Sequence, residues 1–209
     1  MTREKRPCVR AIVAPALLGV LLLAAGPARA EDDPRSDGAI DTSKRRVELT
    51  VGYGHTMYLA AHSNDDLDRQ FVFTSPRLGL LSWNVDLDPP FRGTFEILAG
   101  IDVLSQFSPW GGYAFGFGPV FRYDFWTGTS VVPFVDFGFG IAPNDFGHPE
   151  QGGHWAFELQ GGIGVQIFLE DWLALVFEYR FHHISSAFIY APNYGINSSD
   201  FSFGPAFFF

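Results

Sequence analysis

From Leu173 to Ser185 the chain alternates between apolar and polar positions, most strictly over Phe177–His182. Leu173, Leu175, Phe177, Tyr179, Phe181, His183 and Ser185 share one parity, and Ala174, Glu178, Arg180 and His182 share the other. Successive side chains of a β-strand point to opposite faces. The segment therefore predicts a strand with one charged face and one apolar face, the latter ending in a His and a Ser two positions apart. The same period recurs upstream. Phe115, Phe117, Phe121, Tyr123 and Phe125 oppose Arg122 and Asp124, and Phe91, Phe95, Ile97, Ile101 and Val103 oppose Arg92, Thr94, Glu96 and Asp102. Trp155, Phe157, Leu159, Ile163, Val165 and Ile167 likewise oppose Glu158, Gln160 and Gln166.

Eight strands are predicted in all: Val47–Ala60, Phe71–Trp83, Phe91–Val103, Tyr113–Phe125, Val131–Ile141, His154–Leu169, Trp172–Ile184 and Phe201–Phe209. Most have the length of a tilted membrane-spanning strand, roughly 9–11 residues plus overhang. Short connections at Asn84–Pro90, Thr127–Thr129 and Glu170–Asp171 alternate with longer ones at Ala61–Gln70, Leu104–Gly112, Ala142–Gly153 and Ser185–Asp200. That is the rhythm of periplasmic turns and outer loops.

The sense of the alternation follows from size. The apolar face carries more bulky Phe than the interior of a narrow eight-stranded barrel can hold. The opposite face mixes charges with small residues such as Gly52, Gly54, Gly116, Gly118, Gly138, Gly140, Gly162 and Gly164. The expected fold is all-β, an eight-stranded antiparallel transmembrane β-barrel over residues 47–209. Its apolar face meets lipid, its interior is polar, and every backbone group is paired by closure. Glu158, Glu178, Arg180, Arg122, Asp124 and Asp136 are expected to form an interior ion-pair network, with His182 paired to Glu178 or Glu158, because buried charges need partners. Trp83, Trp110, Trp126, Trp155 and Trp172 fall near strand ends, where aromatic girdles sit.

The first thirty residues read as a cleaved signal peptide. Arg3, Lys5, Arg6 and Arg10 precede an apolar run from Ala11 to Ala25, and Ala28-Arg29-Ala30 supplies a small-x-small cleavage pattern. Residues 31–46 are polar and read as a periplasmic arm. The single cysteine, Cys8, lies in the leader, so no disulfide is expected in the exported chain. Setting aside Arg3, Lys5, Arg6, Arg10, Arg29 and Glu4 leaves nine basic against twenty-two acidic residues, a net charge of −13. That argues against a nucleic-acid partner.

From Glu178 the chain reads EYRFHHISSAFIYAPNYGINSS. This resembles the lipid A 3-O-deacylase (PagL-like) family, in which His-x-Ser-Asn-Ala-Gly is followed by Pro-Asn-x-Gly-Ile. The specific match spans about twenty residues, with Ala187, Pro192, Asn193, Gly195 and Ile196 in register. The leader, the eight strands and the terminal Phe207-Phe208-Phe209, similar to an outer-membrane assembly signal, extend it loosely over the chain. The resemblance implies an outer-membrane esterase of lipopolysaccharide that needs no cofactor or metal. It implies His183 as general base, Ser185 as nucleophile, and an oxyanion site built by backbone amides near Ser186 together with Asn193. With both termini on the periplasmic side, His183 and Ser185 lie at the outer leaflet, where lipid A is found. Three departures stand out: Asn197 replaces an acidic residue that would orient the His, Ser186 replaces Asn, and Phe188 replaces Gly. Asn197 can hold the imidazole through its carbonyl oxygen but supplies no charge.

The expected partners are lipid A and the outer membrane, with a homodimer as an open option. His55, His62, His148 and His154 show no metal-ligand spacing. Gly161-Gly162-Ile163-Gly164 opens no helix and is no dinucleotide loop. The competing reading is a catalytically inactive structural or adhesion-type barrel on the same scaffold. A small pore ranks below it, because the interior is expected to be filled.

Overall fold

A computed structural model describes residues 44–57, 68–146 and 152–209. The expected leader and residues 31–43 of the expected polar arm lie outside the described residues, as do His62 and His148. Eight strands follow one another: β1 (Arg46–Thr56), β2 (Gln70–Val85), β3 (Gly93–Ser108), β4 (Gly112–Phe125), β5 (Val131–Ile141), β6 (Phe157–Glu170), β7 (Leu173–Ser185) and β8 (Ile196–Phe208). Each pairs antiparallel with the next, and β1 pairs with β8 to close the barrel. Closure removes the free edges that would leave backbone N–H and C=O groups unsatisfied in lipid.

The parity read from the sequence is the parity of the wall. Phe117, Phe137, Phe139, Leu159, Ile163, Tyr179, Phe201 and Phe203 are exposed on the outside. Arg46, Glu48, Arg77, Arg122, Asp124, Glu178 and Arg180 are buried inside. The interior is a connected charge network. Arg122 bonds Glu48 at 2.7 Å and Asp136 at 3.1 Å. Arg77 bonds Asp136 at 2.8 Å, Arg180 pairs with Glu178 and Asp102, and Arg46 pairs with Glu96. His182 is held between Glu158 at 2.7 Å and Asp200 at 3.1 Å, so its second partner is Asp200 rather than Glu178. Interior glycines make room for this filling: a Cβ on Gly116 would fall on the Glu158 carboxylate.

The lumen is not polar throughout. At the end carrying the connections 57–69, 142–156 and 186–195, Phe71, Phe73, Leu104, Phe146, Ile184 and Ile196 form an apolar plug. At the other end Val132, Phe134, Phe168, Val176 and Phe208 form a second. Phe134 also lies under the Arg122 guanidinium, 4.0 Å from ring centroid to Cζ. Charges in the middle and apolar caps at both ends fill the barrel, which disfavours the pore reading.

Two boundaries differ from expectation by five residues. The hairpin of β3 and β4 keeps its register as far as Gln106↔Gly112, so the segment expected as a loop at Leu104–Gly112 is mostly strand. Gln106 reads as a loop residue, yet it points inward, accepting from Arg69 at 2.7 Å and donating to the Trp110 carbonyl at 2.9 Å. Similarly, β8 begins at Ile196 rather than Phe201. The polar run Asn197-Ser198-Ser199 is strand because its backbone is paired on both sides, to β7 and to β1. This second extension builds the site.

Candidate active site

Extending β8 back to Ile196 sets Asn197 directly opposite His183 on β7. Both lie on the outward parity, and their side chains meet: His183 Nδ1 is 2.7 Å from Asn197 Oδ1. A carbonyl oxygen only accepts, so the imidazole carries its proton on Nδ1 and keeps the Nε2 lone pair as a potential base. Ser185 is two positions further along the same strand and face, roughly 6.6 Å from His183 in Cα spacing. On the neighbouring strand Leu159 stands opposite His183 and Phe157 opposite Ser185. His183, Ser185 and Asn197 are each half-buried, while Trp155, Phe157 and Leu159 are exposed on the wall beside them.

Ser185 ends β7, and the chain then turns sharply. The Ser186 carbonyl accepts from the Ile189 N–H at 3.0 Å, and the two central residues have positive φ, +50° at Ala187 and +64° at Phe188. This is the pattern of a type I′ turn, which favours Gly, Asn or Asp. A left-handed conformation costs an L-residue roughly 1–2 kcal/mol. The family pattern has Gly where Phe188 stands, and the backbone angle explains why Gly fits there.

Asn193 folds back beneath this turn. Its Oδ1 accepts the Ser186 backbone N–H at 2.9 Å, and the Ser186 hydroxyl donates to the Tyr190 carbonyl at 3.3 Å. The backbone N–H of Ser186, expected to face an oxyanion, is engaged inside the loop. The Asn193 amino group is the donor of that pair whose hydrogens are not used by this contact. The loop base is braced by the segment before β6, where Gly152 N–H donates to the Pro192 carbonyl at 2.8 Å.

One residue escaped the sequence reading as a contributor. Gly195 has φ +69°, and a Cβ built on it would lie 3.0 Å from His183 Cε1. Its glycine identity thus serves both the turn into β8 and the seat of the imidazole. The retained Gly195-Ile196 pair was the available signal. His55 lies on the outer wall of β1, opposite Ser199. His182, on the inward parity, takes no part in the site, and His154 bonds the Asn144 carbonyl at 3.1 Å. Trp83, Trp110, Trp155 and Trp172 are exposed, as membrane-boundary anchors would be.

The sequence model of the lipid A 3-O-deacylase (PagL) family matches residues 77–205. That span begins in β2 and holds every residue of the site. No curated protein sequence matches the chain. Among solved structures, the outer membrane enzyme PagL is similar with a TM-score of 0.52 and 24% identity, covering 76% of this chain and 97% of that one. Neisserial surface protein A (NspA) is similar with a TM-score of 0.56 and 13% identity, covering 79% and 97% respectively. At these identities the two structures speak for the fold, an outer-membrane type of barrel.

Proposed function

The chain belongs to the lipid A 3-O-deacylase (PagL) family, and from that membership we propose that it is an outer-membrane esterase removing the acyl chain ester-linked at the 3-position of lipid A. The observation that carries this reading at the residue level is the His183–Asn197 hydrogen bond, formed on the outer wall two residues before Ser185.

In the proposed reaction His183 Nε2 takes the Ser185 hydroxyl proton as Oγ attacks the ester carbonyl carbon. The tetrahedral intermediate collapses to an acyl-serine, and the imidazolium returns the proton to the departing sugar oxygen. Water, deprotonated by the same imidazole, then cleaves the acyl-serine and releases the fatty acid. Asn197 keeps the ring in the productive tautomer. The Asn193 amino group, held in place through its bond to Ser186, is the oxyanion donor in this scheme. The acyl chain would run along Phe157 and Leu159, on the face that lipid already covers, so substrate would reach Ser185 by lateral diffusion. No cofactor or metal enters the scheme.

A serine-directed fluorophosphonate tests the assignment on purified, folded protein. Labelling is expected on Ser185, lost in Ser185→Ala and strongly slowed in His183→Ala. Persistent labelling in Ser185→Ala would overturn the nucleophile. The uncharged Asn197 favours one competing reading, a barrel that kept the scaffold without the activity. That reading predicts no labelling in the wild type.

A further inference from the structure

Phe188 is 83% exposed, more than any other large apolar residue described, and Ile189 beside it is 63% exposed. Exposed apolar side chains at the tip of a loop expected to face water are not free to be there by neglect, because this one also holds Phe188 in a left-handed conformation that glycine would adopt without strain. The tip is not loose. The turn is closed by the Ser186–Ile189 bond, and its base is tied by the Gly152–Pro192 bond. Gly153 lies so close to the Tyr190 ring that a Cβ there would overlap it. A braced base thus carries two exposed apolar side chains.

The position of the tip identifies what it meets. Phe188 is three residues past Ser185, so its Cα lies within about 11 Å of the Ser185 Cα, whatever path the chain takes. Ser185 ends the apolar wall that Phe157, Leu159, Tyr179 and Phe201 continue downward, all exposed. The tip is the stretch of chain that follows directly on the end of that wall. We propose that Phe188 and Ile189 form a membrane wedge, seated in the acyl layer of the leaflet at the mouth of the site and holding lipid chains apart beside Ser185. The occupant is the hydrocarbon of the surrounding lipids. The idea rests on the membrane placement and the esterase reading above, and deepens them by assigning the chain's departure from glycine a role.

The leader contains the sole cysteine, so a single spin label can be placed on the exported barrel. The full barrel is reconstituted in vesicles of dimyristoylphosphatidylcholine with a nitroxide at Ile189→Cys. Collision with oxygen, which concentrates in hydrocarbon, is compared with collision with a water-soluble nickel chelate. Labels at Phe201→Cys on the wall and Thr129→Cys in a short turn set the lipid and water limits. The wedge predicts an oxygen-to-nickel ratio near the Phe201 limit, and a severalfold fall toward the Thr129 limit when Phe188→Asn is added. Asn keeps the left-handed turn while removing the apolar side chain. A ratio at the water limit with Phe188 present overturns the wedge, as does a ratio that Phe188→Asn leaves unchanged. The readout needs no turnover, so it can fail while Ser185 chemistry stands, and it can stand if that chemistry fails.

Discussion

Gly195 lies against the imidazole of His183, so close that a Cβ would sit 3.0 Å from Cε1. That contact, together with the bond from the adjacent Nδ1 to Asn197, fixes where the ring points. Gly195→Ala forces an L-residue into φ +69° and crowds the ring, which must shift by a few tenths of an ångström. Small misplacements of a catalytic base cost up to about a hundredfold. The expected outcome is a kcat lower by roughly ten- to a hundredfold with KM little changed, and a barrel that still migrates as a folded species in cold electrophoresis. An unaltered kcat would mean the ring is seated by something else.

Asn197 offers a neutral acceptor where the family pattern has an acid. Asn197→Leu removes the hydrogen bond to Nδ1, worth about 1 kcal/mol for a neutral pair, and should lower kcat by roughly five- to tenfold. Asn197→Asp restores a charge beside the imidazolium of the proposed reaction, and charge-assisted bonds are about twice as strong. A kcat above that of the wild type is expected for Asp, measured on lipid A in mixed micelles. A loss of activity with Asp would show that a neutral partner is required.

Phe188→Gly should make the barrel in vesicles less resistant to unfolding. The substitution relieves a left-handed aromatic residue, about 1 kcal/mol, but withdraws from the acyl layer a side chain whose burial is worth about 2–3 kcal/mol, and it adds freedom to the unfolded chain. The urea midpoint reads the change; a higher midpoint would mean that the Phe188 side chain gains nothing from the membrane.

The interior network predicts a different kind of defect. Arg122→Met leaves Glu48 and Asp136 without the guanidinium that bonds both. Removing one partner of a buried ion pair typically costs 3–5 kcal/mol. Folding yield and urea midpoint should fall sharply, while molecules that do fold keep their turnover number, because no interior charge is placed in the reaction. A folded Arg122→Met barrel with greatly reduced kcat would tie the network to catalysis.

Much of this architecture was legible from alternation, because a lipid-facing wall advertises itself as every second residue. Phe115, Phe117 and Phe121 on one parity, against Arg122 and Asp124 on the other, state both the strand and its orientation. What the alternation hid were strand ends made of polar residues. Gln106 and Asn197-Ser198-Ser199 look like loop, and only their pairing across the sheet makes them strand. The apolar plugs at both ends of the lumen were hidden for the converse reason: Phe71, Phe73, Phe168 and Phe208 are inward aromatics, which parity weighed against outward ones does not announce. In the site, the tripeptide His183-Ile184-Ser185 could be read directly, but its supports could not. Gly195 acts through a backbone angle and an empty volume, and Asn193 turns its oxygen toward Ser186 rather than toward a substrate. Both are properties of three-dimensional closure.

The most direct test is mass spectrometry of lipid A from cells carrying this protein, set beside cells carrying Ser185→Ala at equal outer-membrane abundance. Loss of one ester-linked hydroxyacyl mass in the wild type alone, assigned by tandem fragmentation to the 3-position, is the predicted result. Identical lipid A in the two strains, with both barrels folded, would contradict the account.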